Sequence, residues 1–139
     1  MILSCTSLHW LQGEEVQAVY RQAHALLRAG GVFCNLDWMP VEGGRELRVL
    51  ADAYGHNHEE REATAGSPSW QDWWEAAARV PWLADAVQAR ERARERDTSR
   101  PAEFMPGIRW HEQALLAAGF RATAEVWRVF DSAAVVAVK

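Results

Sequence analysis

The side chains with chemical capacity gather at a few places in the chain. His9 follows Thr6, Ser7 and Leu8 and precedes Trp10, and Asp37 stands between Leu36 and Trp38, just after Asn35. Imidazole is the side chain whose ordinary proton affinity lies near neutral pH. His9 therefore suits a general base or a group that orients a substrate; its plainer use is as a loop residue making one backbone hydrogen bond. Asp37 either faces a substrate or caps the segment after it. His56, His58, Glu59 and Glu60 are metal-ligating types, but two histidines two positions apart do not have the HExxH spacing, and the segment reads as a solvated loop with no metal. Cys5 and Cys34 make no CxxC and read as buried free thiols. With no Gly-x-Ser-x-Gly elbow and no activated thiol, covalent nucleophilic chemistry has no candidate. His24, at the edge of an apolar stripe, and His111, at a helix start, show no partner in sequence.

Those residues need elements to place them. Ile2 to Cys5 is a short apolar run and reads as a buried strand. Gly13, Glu14 and Glu15 open a helix, where acids suit the N-terminal dipole. Val16, Val19, Tyr20, Ala23, Leu26 and Leu27 follow as one stripe, with Arg28 in the last turn and Gly30-Gly31 as the stop. Val32 to Trp38 is a second strand. Strand, helix and strand predict a βαβ unit with parallel strands and a right-handed crossover. Thr6 to Trp10 and Asn35 to Trp38 then lie at the carboxyl ends of those strands, where open α/β sheets hold their ligands.

The C-terminal part has another grammar. Trp110 to Ala118 predicts a helix with Leu115 and Leu116 inward, stopped by Gly119 with Phe120 after it. Ala122 to Phe130 and Ala133 to Val138 predict strands around a turn at Asp131-Ser132. So short a turn forces them antiparallel, and the wholly apolar last strand should be central. Residues 41 to 109 look helical: Leu47, Leu50, Ala51 and Tyr54 share one face, and Ser69 with Asp72 suits a capping box. Trp70, Trp73 and Trp74 fall on one side of the helix that follows. They form either the wall of a hydrophobic lid or a face packed on the sheet. Pro81 ends that helix, and Leu83 to Asp97 runs out into ARERARERD, a solvated face in which acids and bases nearly cancel.

The quoted segments resemble the second half of the class I S-adenosylmethionine-dependent methyltransferases. SCTSLHWLQ is similar to the end of that family's fourth strand, VYRQAHALLRAGGVFCNLD to the following helix and fifth strand, and EQALLAAGFRATAEVWRVFDSAAVVAVK to its last helix and closing hairpin. The resemblance implies an α/β fold: a partial Rossmann-like methyltransferase sheet of two parallel strands plus a C-terminal antiparallel hairpin, with a helical insertion or lid at about 41–109. It implies the strand order fourth, fifth, seventh, sixth. It places Thr6, Ser7, Leu8 and His9 near S-adenosylmethionine, and His9 and Trp10 near the transferred methyl. Asp37, Trp38, Trp70 and Trp74 fall on the acceptor side, with Trp10 more at home in the core. The family's GxGxG cofactor loop has no counterpart in these 139 residues, so the chain is expected to be a C-terminal portion that binds the cofactor poorly by itself.

Methyl transfer from a sulfonium needs alignment and exclusion of water, and a base only where the acceptor is protonated. Composition agrees with a globular enzyme part: 49% of residues are hydrophobic, 24% are charged and the net charge is −4. That balance gives no basic field for nucleic acid or an anionic membrane, and no apolar run approaches a membrane span. A cytoplasmic location and a small-molecule acceptor are the expectations. The alternative is a non-catalytic interaction module. The edge of Ile2–Cys5, free of Pro and Lys, would pair with a second copy or with a separate N-terminal half.

Overall fold

The computed structural model describes residues 1–96 and 104–139. Contacts divide the chain into two units, Met1–Asp52 with Glu103–Lys139, and Ala53–Ala102.

The first unit is built on one mixed sheet. Strand β1 (Ile2–Cys5) leads through a 3₁₀ turn (Leu8–Trp10) to helix α1 (Gly13–Leu26) and strand β2 (Val32–Trp38). Helix α5 (Ile108–Ala117) precedes the hairpin of β3 (Ala122–Val129) and β4 (Ser132–Val138). The order across the sheet is β1-β2-β4-β3. β1 pairs in parallel with β2, and β4 runs antiparallel to both neighbours, so the last strand is central, as its apolar run requires. The register Ser4↔Asn35 and Asn35↔Val135 fixes which side chains share a face. Ile2, Phe33, Asn35, Asp37, Val135 and Ala137 lie on the face that carries the core with Val16, Tyr20, Ala23 and Leu115.

The stripe of α1 is narrower than expected. Val16, Tyr20 and Ala23 are buried, but the helix ends at Leu26, which is 80% exposed, and Leu27 reaches the core as the cap residue. Arg28 therefore lies beyond the helix. Gln12 and Glu15 close a capping box at the start of α1. Likewise Leu115 is buried and Leu116 is exposed, because adjacent helical residues point about 100° apart. β1 is half-exposed rather than buried: Leu3 is 64% exposed and Cys5 is exposed, since the strand lies at the sheet edge. Neither cysteine is fully buried, Cys34 being intermediate.

Helix α5 ends in a Schellman motif. Gly119 takes φ +105°, its N–H donates to the Leu116 carbonyl at 3.0 Å, and the Phe120 N–H donates to the Leu115 carbonyl at 3.2 Å. Phe120 then turns into the core against Phe33. A Cβ on Gly119 would sit 3.0 Å from the His24 ring. Gly119→Ala is expected to lower stability by about 1–3 kcal/mol, read as a shift of the urea midpoint, because both the dihedral and the contact oppose it.

The hairpin turn falls at Phe130-Asp131, one residue earlier than expected, with Phe130 at φ +47°. A bulge between Glu125 and Trp127 shifts the register of β3. Asp131 accepts from the Val41 N–H at 2.8 Å and pairs with Arg48. Burial alone would raise its carboxyl, but the Arg48 guanidinium and the Val41 N–H outweigh that and hold it below the usual range.

Helix α2 (Arg45–Thr64) begins in the first unit and ends in the second. Its shared face is shallow: Ala51 is buried, whereas Leu47, Leu50 and Tyr54 are exposed. His56 to Glu60 form part of this helix, not a loop, and Gly55 just before them does not interrupt it. In the second unit, Ser69 caps helix α3 (Trp70–Ala78) by accepting from the Asp72 N–H at 3.1 Å, and Asp72 returns the bond to complete the box. Helix α4 (Ala84–Arg96) follows the turn at Pro81; Asp97, where that run was expected to end, lies outside the described residues. No helix among the described residues is long and apolar enough to cross a membrane.

Candidate functional site

The two parallel strand ends meet through Asp37. Its carboxyl is buried on β2, and the Thr6 N–H donating to the Leu36 carbonyl at 2.8 Å holds the neighbouring segment against it. One carboxylate oxygen of Asp37 (Oδ2) accepts from the Leu8 N–H at 2.9 Å and the His9 N–H at 3.2 Å. The other (Oδ1) lies 2.6 Å from His9 Nδ1 and accepts from the Trp38 N–H at 2.8 Å. Asp37 thus caps the turn at Leu8–Trp10, besides accepting from the Trp38 N–H directly after it. The amide groups at the N-terminus of that turn are occupied by a carboxylate of the chain itself.

The same contact fixes His9. An ionised carboxylate only accepts, so Nδ1 is the protonated nitrogen in this contact, and in a neutral ring Nε2 then carries the lone pair. The His9 side chain is 19% exposed, so the ring stays accessible. The carboxylate of Asp37 thereby orients the His9 imidazole. Trp10 packs on the His9 ring at 4.8 Å between centroids and is exposed, so it is not a core residue. The reason is geometric: in a three-residue turn Leu8 points inward and its successors point out.

Thr6, Ser7, Leu8 and His9 do not build a complete cofactor cradle. Leu8 is a core residue, the amides of Leu8 and His9 are committed to Asp37, and the Ser7 hydroxyl donates to the Cys5 carbonyl at 2.7 Å. Thr6, at φ +46°, and Ser7 are exposed and form one wall at most. Trp38 is also exposed. Trp70 and Trp74 belong to the other unit, where they pack with Trp73 and, for Trp74, under Arg90; Trp70 and Trp73 stay largely exposed.

Sequence reasoning missed a buried polar group behind this site. The Tyr20 hydroxyl and His111 Nδ1 lie 2.7 Å apart across 91 residues, both side chains buried. Burial lowers the His111 pKa to about 4, with the Asp37 charge and the Pro106 carbonyl pulling weakly the other way, so the ring is neutral and accepts from the Tyr20 hydroxyl. Burial pushes the Tyr20 hydroxyl well above its ordinary value. Asn35 stands beside it, fully buried, and among the described residues neither its side chain nor Ser4 Oγ across the strand pair has a hydrogen-bond partner of standard geometry. The available signal was an Asn and an Asp alternating with Phe33 on the inward face of β2.

No family model and no curated protein matches the sequence. Solved structures do. PigF, solved with S-adenosylhomocysteine, superposes with a TM-score of 0.54 at 13% identity, over 99% of this chain and 30% of that one. A Nostoc punctiforme PCC 73102 protein provisionally assigned as an O-methyltransferase superposes with a TM-score of 0.54 at 16% identity, over 99% of this chain and 30% of that one. The chain thus has the α/β fold of part of a Rossmann-like methyltransferase and spans 30% of the length of these proteins.

Proposed function

We propose that this chain is the acceptor-side portion of an S-adenosylmethionine-dependent methyltransferase, with His9 as the base for a small acceptor. The observation that carries this reading is the Asp37–His9 pair at the carboxyl ends of two parallel strands, in a fold shared with an S-adenosylhomocysteine-bound protein. His9 Nε2 would take the acceptor's proton while Asp37 holds the ring and balances its charge. Trp10 and Trp38 would flank the acceptor, and Trp70 and Trp74 are the candidates for its cover. Thr6 and Ser7 would line the cofactor's side as one wall.

Titrating the chain with S-adenosylhomocysteine, followed by amide NMR, tests this reading. Weak, millimolar-range shifts confined to Thr6–Trp10 and Trp38 are expected. Shifts elsewhere, or none, would overturn it.

A second reading, an interaction module, is favoured by the exposure of one sheet face. Leu3, Cys5, Trp38, Ala124 and Trp127 all lie exposed on the side opposite the core, next to the unpaired edge of β1. Parallel sheets normally have both faces covered, and edges without charge or proline invite pairing. Light scattering is expected to show self-association of the chain, through β1 pairing with a second copy or with a separate N-terminal half when one is supplied. Leu3→Lys is expected to restore a monomer; a wild-type monomer at high concentration would count against this reading.

A further inference from the structure

In the second unit Trp70 and Trp74, named above as candidates for the acceptor's cover, also line a cleft of their own. Trp70, Trp74, Glu75, Val87, Arg90 and Glu91 line a space of about 220 Å³ between α3 and α4. Ligand pockets for drug-sized molecules run from roughly 300 Å³ upward, so this one suits a small group. Its walls are aromatic. Trp70 and Trp74 meet edge to face at 5.6 Å, and Trp74 also meets Trp73 edge to face at 4.8 Å. The cluster is set by the spacing i, i+3, i+4 on α3.

One face of Trp74 already holds a cation. The Arg90 guanidinium lies 3.8 Å from the ring centroid, and the same guanidinium pairs with Glu91. Among the described lining residues two carboxylates, Glu75 and Glu91, stand against the guanidinium of Arg90, a net negative balance. Glu75 accepts from Gln71 Nε2 at 3.1 Å, and the exposed Arg79 approaches its other oxygen only at 3.9 Å. The Trp74 indole N–H is buried and has no acceptor among the described residues. Aromatic faces backed by carboxylates attract cations through the ring quadrupole, most strongly when the cation is alkylated and weakly hydrated.

We infer that this cleft binds a small alkylated ammonium group, with Arg90 as an internal stand-in that the ligand displaces from the face of Trp74. Displaced, Arg90 keeps Glu91 as its partner.

Tryptophan fluorescence of the full chain, titrated with choline at constant ionic strength, tests the site. Its neutral isostere 3,3-dimethylbutanol is the control. Choline is expected to give a saturable change and the alcohol to bind about threefold to fivefold more weakly, the scale of a solvent-exposed cation–π contact. Arg90→Gln is expected to tighten choline binding several-fold by removing the internal competitor, and Trp74→Phe to weaken it while keeping an aromatic ring in the cluster. Equal binding of choline and the alcohol would reduce the cleft to an apolar hollow and overturn the inference. So would looser binding in Arg90→Gln, or no saturable change in either the wild type or Arg90→Gln.

Discussion

Replacing Asp37 with alanine is expected to cost the fold roughly 3 kcal/mol and to release the His9 ring from its fixed tautomer. Asp37 satisfies three backbone N–H groups and one imidazole from a buried position. Alanine leaves the buried Leu8 N–H with no acceptor, and a stranded buried donor costs about 1–3 kcal/mol before the partly exposed bonds are counted. Asp37→Asn is expected to lose less, about 1–2 kcal/mol, because one oxygen still accepts and the amide NH₂ can donate to His9 Nδ1 once the ring takes its other tautomer, although it opposes the Trp38 N–H. Denaturant unfolding reads the stability. Nitrogen-15 spectra of the His9 ring read the rest: the wild type should carry its proton on Nδ1, and the alanine variant should move it largely to Nε2. An unchanged tautomer in Asp37→Ala would mean that the carboxylate does not orient His9, and the base assignment would fall with it.

Acid should weaken the fold through His111 well before carboxylates protonate in bulk. In the folded chain burial holds its pKa near 4, against the ordinary value of 6.5. Above about pH 6.5 the ring is neutral in both states and this group's contribution is fully present. As pH falls from there toward 4, the unfolded chain takes up a proton that the folded chain refuses, so stability declines; below about 4 both states are protonated and the loss stops growing. The size is roughly 3 kcal/mol over that window, since each tenfold difference in proton affinity between the two states is worth about 1.4 kcal/mol. Urea midpoints measured between pH 7 and 4 should show the decline. His111→Gln, which retains an acceptor for the Tyr20 hydroxyl, should flatten it. A pH profile unchanged by His111→Gln would place the acid sensitivity elsewhere.

Much of the architecture was legible because it rests on local rules. The alternation and length of Ile2–Cys5 and Val32–Trp38 set two strands, and the helix between them made those strands parallel. The wholly apolar run Ala133–Val138 had to be central, and it is. Gly119 with Phe120 and Ser69 with Asp72 signalled a helix stop and a helix start through hydrogen bonds that span only a few residues. Where local rules were pressed too far they failed: Leu26 and Leu116 are apolar yet exposed, because a stripe drawn in sequence is wider than the face one sheet can cover.

The sequence by itself determined the element order, the strand directions and the two strand ends at which chemistry is possible. Only the tertiary structure joined His9 to Asp37, 28 residues away, and Tyr20 to His111, 91 residues away, and turned Trp10 and Cys5 outward. The reason is physical. Helix and strand periodicities are set by backbone geometry within a few residues, and the sequence carries them. Which buried acceptor meets which donor depends on the register of β1 against β2 and on how α1 meets α5, and those are decided when the chain closes on itself.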